Sequence, residues 1–519
     1  MVETSADSDE LALQDDALVL NGIDVTTGTY LVPRLDLADV AAALRGDPSP
    51  APGARELRRR RHDDEDHLGV AYGFDPQDLA SVGWGVVVPE GLDPAILEAL
   101  GPLLDHRQAE AGERFKRLDA RPGESKDVLL ARYGMGPGVA DPRKVPYYLL
   151  LLGTPEQLSF ELQYQLGVTY AVGRLDLPSP AAYAAYAADV VASEQPARTE
   201  QPAPAARSAD DDDAAPAPDA APAPDAAPAP AAAPGARRSL HLFATRHPVD
   251  TPTALSASRL VAPLAAELAG ATASWEVTSD VGPGATRARL GDLVTTPAGP
   301  DILFTAGHGI AGSTTRPRAV TGALLCQDWP GPLARRGPVD EAHYLAADHL
   351  ATGTPIRPRV VFSFACFGAG TPRLSDYPGA GPGARLELSD ASFTAHLPQR
   401  LLGEPAGALA FVGHVDRVWQ CSFLWKGATG QIAPFTSALL ALMDGARLGF
   451  ALESLTSRYA EVATELTQRL DSSRKYGLAI SDADLVGLWT ATHDARGYVV
   501  LGDPAVRVAP RGAAQLAPR

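Results

Sequence analysis

The chain has 519 residues, 45% of them apolar, a formal net charge of −18 and three cysteines. That length and apolar content suffice for several domains with large cores, whereas three cysteines exclude a disulfide scaffold and fit a reducing, cytoplasmic setting. The acidic surplus disfavours nucleic-acid binding, which needs Lys and Arg against phosphates, and no stretch reaches the roughly 18 uninterrupted apolar residues of a membrane span.

In chain order, the acidic start Met1–Asp7 lacks the pattern of a secretion signal. From Arg55 to His67, Arg58–Arg61 run directly into Asp63–Asp66. Adjacent blocks of opposite charge predict a solvated loop, with a processing site as the alternative. Residues 1–192 read as an N-terminal α/β region. Val86–Val88, Tyr147–Leu152 and Tyr170–Leu175 are predicted strands, and Glu156–Gln165 and Ala181–Val191 predicted helices. Residues 193–238 hold Asp210–Asp213 and an Ala/Pro/Asp repeat. Alternating Pro cannot continue a helix or a ladder, so this predicts a disordered, semi-extended linker.

Residues 239–508 alternate more clearly. Strands are predicted at Leu240–Thr245, Asp301–Ala306, Arg359–Ala365 and Gly407–Val412, and helices at Ser256–Ala269, Pro434–Met443 and Leu448–Leu470. The chain closes with Tyr498–Pro504, and residues 509–519 form a flexible tail. Two of these strands end in a reactive side chain beside glycine: Gly307-His308-Gly309 and Cys366-Phe367-Gly368. Ligands of open α/β sheets gather at the carboxyl ends of the strands, so both side chains are placed for one site. A cysteine nucleophile needs an imidazole partner because the thiolate is the attacking species. Taken singly, Cys366 also reads as a small core residue and His308 as a hydrogen-bonded loop histidine. Cys326 and Cys421 lack such a strand end and read as core or loop residues. No CxxC or HExxH is present, and no metal or organic cofactor is expected.

Ile302–Gly309 and Val360–Gly368, followed by Val500-Leu501-Gly502-Asp503-Pro504, resemble the caspase-like cysteine peptidases, closest to the gingipain and CHAT types. The resemblance covers residues 140–190 and 239–508. It implies a three-layer α/β/α sandwich with a mostly parallel sheet, preceded by a smaller, non-catalytic α/β subdomain that includes residues 140–192. It further implies Cys366 as nucleophile, His308 as general acid/base, and the N–H groups of Gly309 and Cys366 as the oxyanion hole. A third, orienting carboxylate found in some members has no position assigned here. For substrate contacts it points to Phe364, two residues before the cysteine, and to Asp416 and Trp419 in the segment holding His414 and Arg417. Asp416 favours an Arg or Lys side chain, whereas Phe364 and Trp419 favour an apolar one such as Leu; Asp416 in a structural salt bridge is the alternative.

The expected function is an intracellular cysteine endopeptidase acting on protein or peptide substrates through a thioester, in a regulated setting such as bacterial defence. Two alternatives stand beside it. One is a catalytically inactive caspase-like scaffold, the other a latent form that needs an activating partner protein or cleavage.

Overall fold

The computed structural model describes residues 17–18, 23–30, 35–36, 69–194 and 238–508, apart from 272–273, 313–316, 333, 335–336, 379–384 and 426–429. The charged island at 55–67, nearly all of the predicted linker and the tail therefore lie outside the described residues.

Ten strands build one sheet: β1 (Trp84–Pro89), β2 (Phe115–Ala120), β3 (Tyr148–Leu152), β4 (Ala171–Leu175), β5 (Arg238–Ala244), β6 (Trp275–Val281), β7 (Ile302–Ala306), β8 (Val360–Phe364), β9 (Ala410–His414) and β10 (Tyr498–Gly502). Their order is β2-β1-β3-β4-β10-β9-β8-β7-β5-β6. Every neighbouring pair is parallel except β9–β10. The expected α/β architecture with a mostly parallel sheet is borne out. The interior strands β3, β7, β8 and β9 are buried along their whole length. That is why they read as continuous apolar runs: a parallel sheet is covered on both faces.

The N-terminal α/β region does not form a separate sheet. β10, the last strand, lies parallel to β4 and antiparallel to β9, and so welds both regions into one ladder. At this seam Gly173 faces Val500, and a Cβ on Gly173 would lie 2.1 Å from the Gly502 carbonyl oxygen. Only a glycine permits that approach.

Several predicted boundaries shift. The helix expected at 156–165 instead spans Phe160–Gly167, because a turn closed on the Thr154 carbonyl by the Gln157 and Leu158 N–H groups comes first and Ser159 caps the helix. The fourth predicted strand of the second region begins at Ala410 rather than Gly407, since the Ala408 N–H is spent on the Leu401 carbonyl. The helix expected at 256–269 is three segments: Thr251–Leu255, a π-helical Ser256–Val261, and Ala262–Ala271. Pro263 cannot donate within a helix and its ring crowds the preceding turn, so a widened turn ahead of it is the expected accommodation. The stretch 448–470 divides into Leu448–Ala451 and a longer helix, Glu453–Tyr476. No described helix is long and apolar enough to cross a membrane.

Candidate active site

β7 and β8 are adjacent and parallel, with Ala306 opposite Phe364. The segments that leave their carboxyl ends therefore emerge side by side, His308 on one and Cys366 on the other. Gly309 sets how closely they approach. A Cβ at that position would lie 1.8 Å from the Cys366 carbonyl oxygen and 3.0 Å from its backbone nitrogen. Any side chain there would push the two segments apart. Neither the Gly309 nor the Cys366 backbone N–H has a hydrogen-bond partner among the described residues.

The loop after Cys366 is anchored by two residues with left-handed backbones, Phe367 at φ 59° and Asp416 at φ 64°. The Phe367 N–H donates to the Asp416 carbonyl at 2.7 Å, and the Ala369 N–H to the His414 carbonyl at 3.0 Å. Non-glycine residues with positive φ persist only where surrounding contacts hold them. Here those contacts fix the turn that carries the thiol.

The His308 imidazole is also fixed. Its Nε2 lies 2.8 Å from Asp250 Oδ2, and both side chains are fully buried. An ionised carboxylate only accepts, so Nε2 carries the proton and Nδ1 is left for the site. Nδ1 has no hydrogen-bond partner among the described residues. Burial alone would raise the Asp250 pKa. The His308 imidazole and hydrogen bonds from His308, Thr253 and Tyr30 outweigh it and hold the carboxyl well below the usual carboxylate range. The His247 ring stacks on His308 with centroids 6.2 Å apart, and Trp329 meets both rings edge-on. Burial, then the neighbouring His308, pushes His247 down to about 4.

Asp250 is the carboxylate that the structure places against His308, at a position the sequence left unassigned. It precedes Thr251-Pro252 at the start of a helix, which makes it look like an ordinary N-cap. It occupies that position, yet its side chain makes no capping bond and turns to His308 and Tyr30 instead.

Cys366 has no exposed surface. Its Sγ points at the Val418 carbonyl, 3.9 Å away. Burial pushes its thiol up to about 12, against the opposing pull of the Val418 contact and Arg417. The other cysteines, Cys326 and Cys421, are likewise free thiols.

The three residues expected at the substrate are all buried. Phe364 is 5% exposed and packs edge-on against Phe423 and Phe435. Asp416 accepts bonds from the Ser375 hydroxyl at 2.7 Å and the Asp376 N–H at 3.2 Å, and its Oδ1 has no partner among the described residues. Burial raises the Asp416 pKa, with Arg417 opposing it. Trp419 packs on Tyr377, and its backbone N–H donates to Asp494. The Arg417 guanidinium lies over the Tyr377 ring and donates to Ser375 at 3.3 Å.

A second cluster of ligand-type side chains, His106, Glu110 and Glu194, is carried by the helices Gly101–Ala111 and Pro180–Glu194 of the N-terminal region. Its carboxylates are already engaged by the buried Arg107 guanidinium, which also reaches Asp503 Oδ2 at 2.6 Å. A cation held there would compete with a guanidinium that has nowhere else to go.

No family model matches the chain, and no curated protein matches it. Among the solved structures similar to it are two of low identity. One, described as a protease, is 12% identical with a TM-score of 0.42, covering 82% of this chain and 78% of its own. The other, a complex of the pro- and mature domains of Porphyromonas gingivalis RgpB, is 11% identical with a TM-score of 0.39, covering 82% of this chain and 80% of its own. Values this low assign the chain to no family.

Proposed function

We propose that the chain is a cysteine endopeptidase. The observation that carries this reading is the apposition of Gly309 against the Cys366 backbone, next to a histidine held by a buried carboxylate. In the reaction, His308 Nδ1 takes the thiol proton and Cys366 Sγ attacks the substrate carbonyl carbon. The Gly309 and Cys366 N–H groups face the developing oxyanion. The C–N bond then breaks, His308 returns the proton to the leaving amine, and a thioester remains. Water, deprotonated by His308, hydrolyses the thioester and restores the thiol. No step calls for a metal or organic cofactor.

Asp416 and Trp419 lie on the segment beside Cys366, and with Phe364 they form the proposed substrate-binding wall. A negative Asp416 would select Arg or Lys, and the aromatic pair Leu. Enrichment of none of these at the cleaved position of a peptide library would remove this assignment.

A second reading draws on the complete burial of Cys366 and its raised pKa. These fit a latent form opened by an activating partner or by cleavage in a regulated intracellular setting such as bacterial defence, or a scaffold without activity. Hydrolysis of a peptide pool by the wild-type chain and by Cys366→Ala tests both. The peptidase reading expects turnover that falls by at least about 10⁴-fold in the variant. Equal turnover, or none by wild type even after limited proteolysis, contradicts it.

A further inference from the structure

We propose that Tyr30, contributed by a segment distant in the chain from the strand ends, is a positioning residue of the Cys366–His308 centre, acting through Asp250. The inference rests on the peptidase reading above and deepens it.

The Tyr30 hydroxyl donates to Asp250 Oδ1 at 2.8 Å, across 220 positions of sequence. The same carboxylate holds His308 through Oδ2, which also accepts from the Thr253 hydroxyl, so Tyr30 holds the other oxygen and the carboxylate plane is fixed. The Tyr30 ring also meets the His308 imidazole edge-on, with centroids 6.2 Å apart. One side chain thus touches both members of the pair. Burial, then the Asp250 charge, raises the Tyr30 pKa, so the phenol stays a donor across the working range.

The segment that presents Tyr30 is itself anchored beside the site. Ile23–Asp24 pair in parallel with Ile310–Ala311, the residues directly after Gly309. The Val339 N–H donates to the Val25 carbonyl at 2.8 Å and the Gly337 N–H to the Thr27 carbonyl at 3.0 Å. Ile23 is fully buried in a cluster with Ile310 and Trp329, and Trp329 is the ring that packs on His308. The Asp24–Thr29 turn is closed by the Gly28 N–H on the Asp24 carbonyl and by the Thr26 N–H on the Asp24 carboxylate. Tyr30 therefore stands on a fixed support, which is what orientation of a catalytic ring to a fraction of an ångström requires.

The chemical consequence concerns the proton. With Asp250 held on both oxygens, His308 is kept in the Nε2–H tautomer, and Nδ1 stays free to carry the thiol proton to the leaving amine. Amide hydrolysis depends on that delivery. Hydrolysis of an ester with a good leaving group needs His308 only to take the thiol proton and to activate water.

The test uses the full-length chain and its Tyr30→Phe variant, which keeps the ring and removes the hydroxyl. One peptide serves as both its aminomethylcoumarin amide and its p-nitrophenyl ester. The expected result is an amide kcat lower by about tenfold, with KM unchanged and a clearly smaller fall in the ester rate. In parallel, ¹⁵N shifts of the His308 ring, assigned against His308→Ala, should show the Nε2–H form in wild type and a mixture of tautomers in Tyr30→Phe. Unchanged tautomer and unchanged amide turnover would overturn the inference. So would a Tyr30→Ala variant that alkylates faster at Cys366 and cleaves amides faster, because the segment would then be a cover. If wild type cleaves no amide, the peptidase reading fails, and the ¹⁵N measurement still decides whether Tyr30 positions His308.

Discussion

The two halves of the sheet have the same topology and different chemistry. In the first, β1 lies between β2 and β3, and β3 pairs with β4; in the second, β5 lies between β6 and β7, and β7 pairs with β8. All pairs within each half are parallel. The antiparallel β9–β10 pair between the halves reverses their sense, so their carboxyl ends lie at opposite edges of the sheet. β3 leads into Gly153-Thr154-Pro155, whereas its counterpart β7 leads into Gly307-His308-Gly309. In the first half the strand ends are filled by a structural side chain. Buried Arg174 donates to Gln163 at 2.9 Å and to the Gly153 carbonyl at 2.9 Å, and burial pushes its pKa down to about 10. In the second half the corresponding end carries His308, and the end of the adjacent parallel strand leads to Cys366. The fold thus supplies two equivalent positions, and different residues occupy the strand ends at each.

The join between the halves is where that equivalence is anchored. Asp503, directly after β10, has no exposed surface. It accepts from Trp84 Nε1 at 2.9 Å in the first half and from Arg107 Nε at 2.6 Å, while its own N–H reaches the Tyr186 hydroxyl at 2.6 Å. The closing Gly502-Asp503-Pro504 stretch is therefore a structural tie and not part of the site.

Separating these roles gives three tests. The largest effect is expected at the join. Asp503→Ala leaves Arg107 and the Trp84 N–H buried with a partner missing, and should cost about 3 kcal/mol of unfolding free energy by denaturant titration. The fraction that remains folded should keep its thiol reactivity, because the site lies in the other half. Next comes Asp250→Asn, which keeps the volume and removes the charge that orients His308. Amide turnover should fall by about 10²-fold or more, with a much smaller change in stability. A loss of stability without loss of turnover would move Asp250 from the site to the scaffold. The smallest effect concerns pH. His247 is buried with its folded pKa lowered to about 4 from an ordinary 6.5. Between those values the unfolded chain binds the extra proton, so stability should fall as pH drops from about 6.5 to 4. His247→Gln should flatten that window in a series of urea titrations; an unchanged slope would place the acid sensitivity elsewhere.

Much of this arrangement is legible in the chain itself. β3, β7 and β8 are apolar throughout because both sheet faces are covered, and their glycine-flanked ends stand out for that reason. The edge strands are harder. β2 reads Phe-Lys-Arg-Leu-Asp-Ala and β6 reads Trp-Glu-Val-Thr-Ser-Asp-Val, each half-exposed and polar, so neither shows the apolar run of a buried strand. The helix Asp482–Arg496 escapes notice because its buried face includes Thr490, Thr492 and Asp494. Asp250 is hidden behind its resemblance to a helix cap, and Tyr30 behind its distance in sequence. The sharing of one sheet by both halves is a pairing of β10 with β4, and no local pattern encodes a partner that remote. Phe364 is legible only as the position two before the cysteine; that its ring packs on Phe423 and Phe435 is not.

The central claim is that Cys366 is a nucleophile activated by His308, and covalent labelling tests it most directly. The full-length chain is treated with a peptidyl acyloxymethyl ketone and its intact mass and peptide map are recorded. The account predicts one adduct, on Cys366, that disappears in Cys366→Ala and is strongly reduced in His308→Ala. No adduct before or after limited proteolysis, or equal labelling of Cys366 and Cys421 independent of His308, would contradict it.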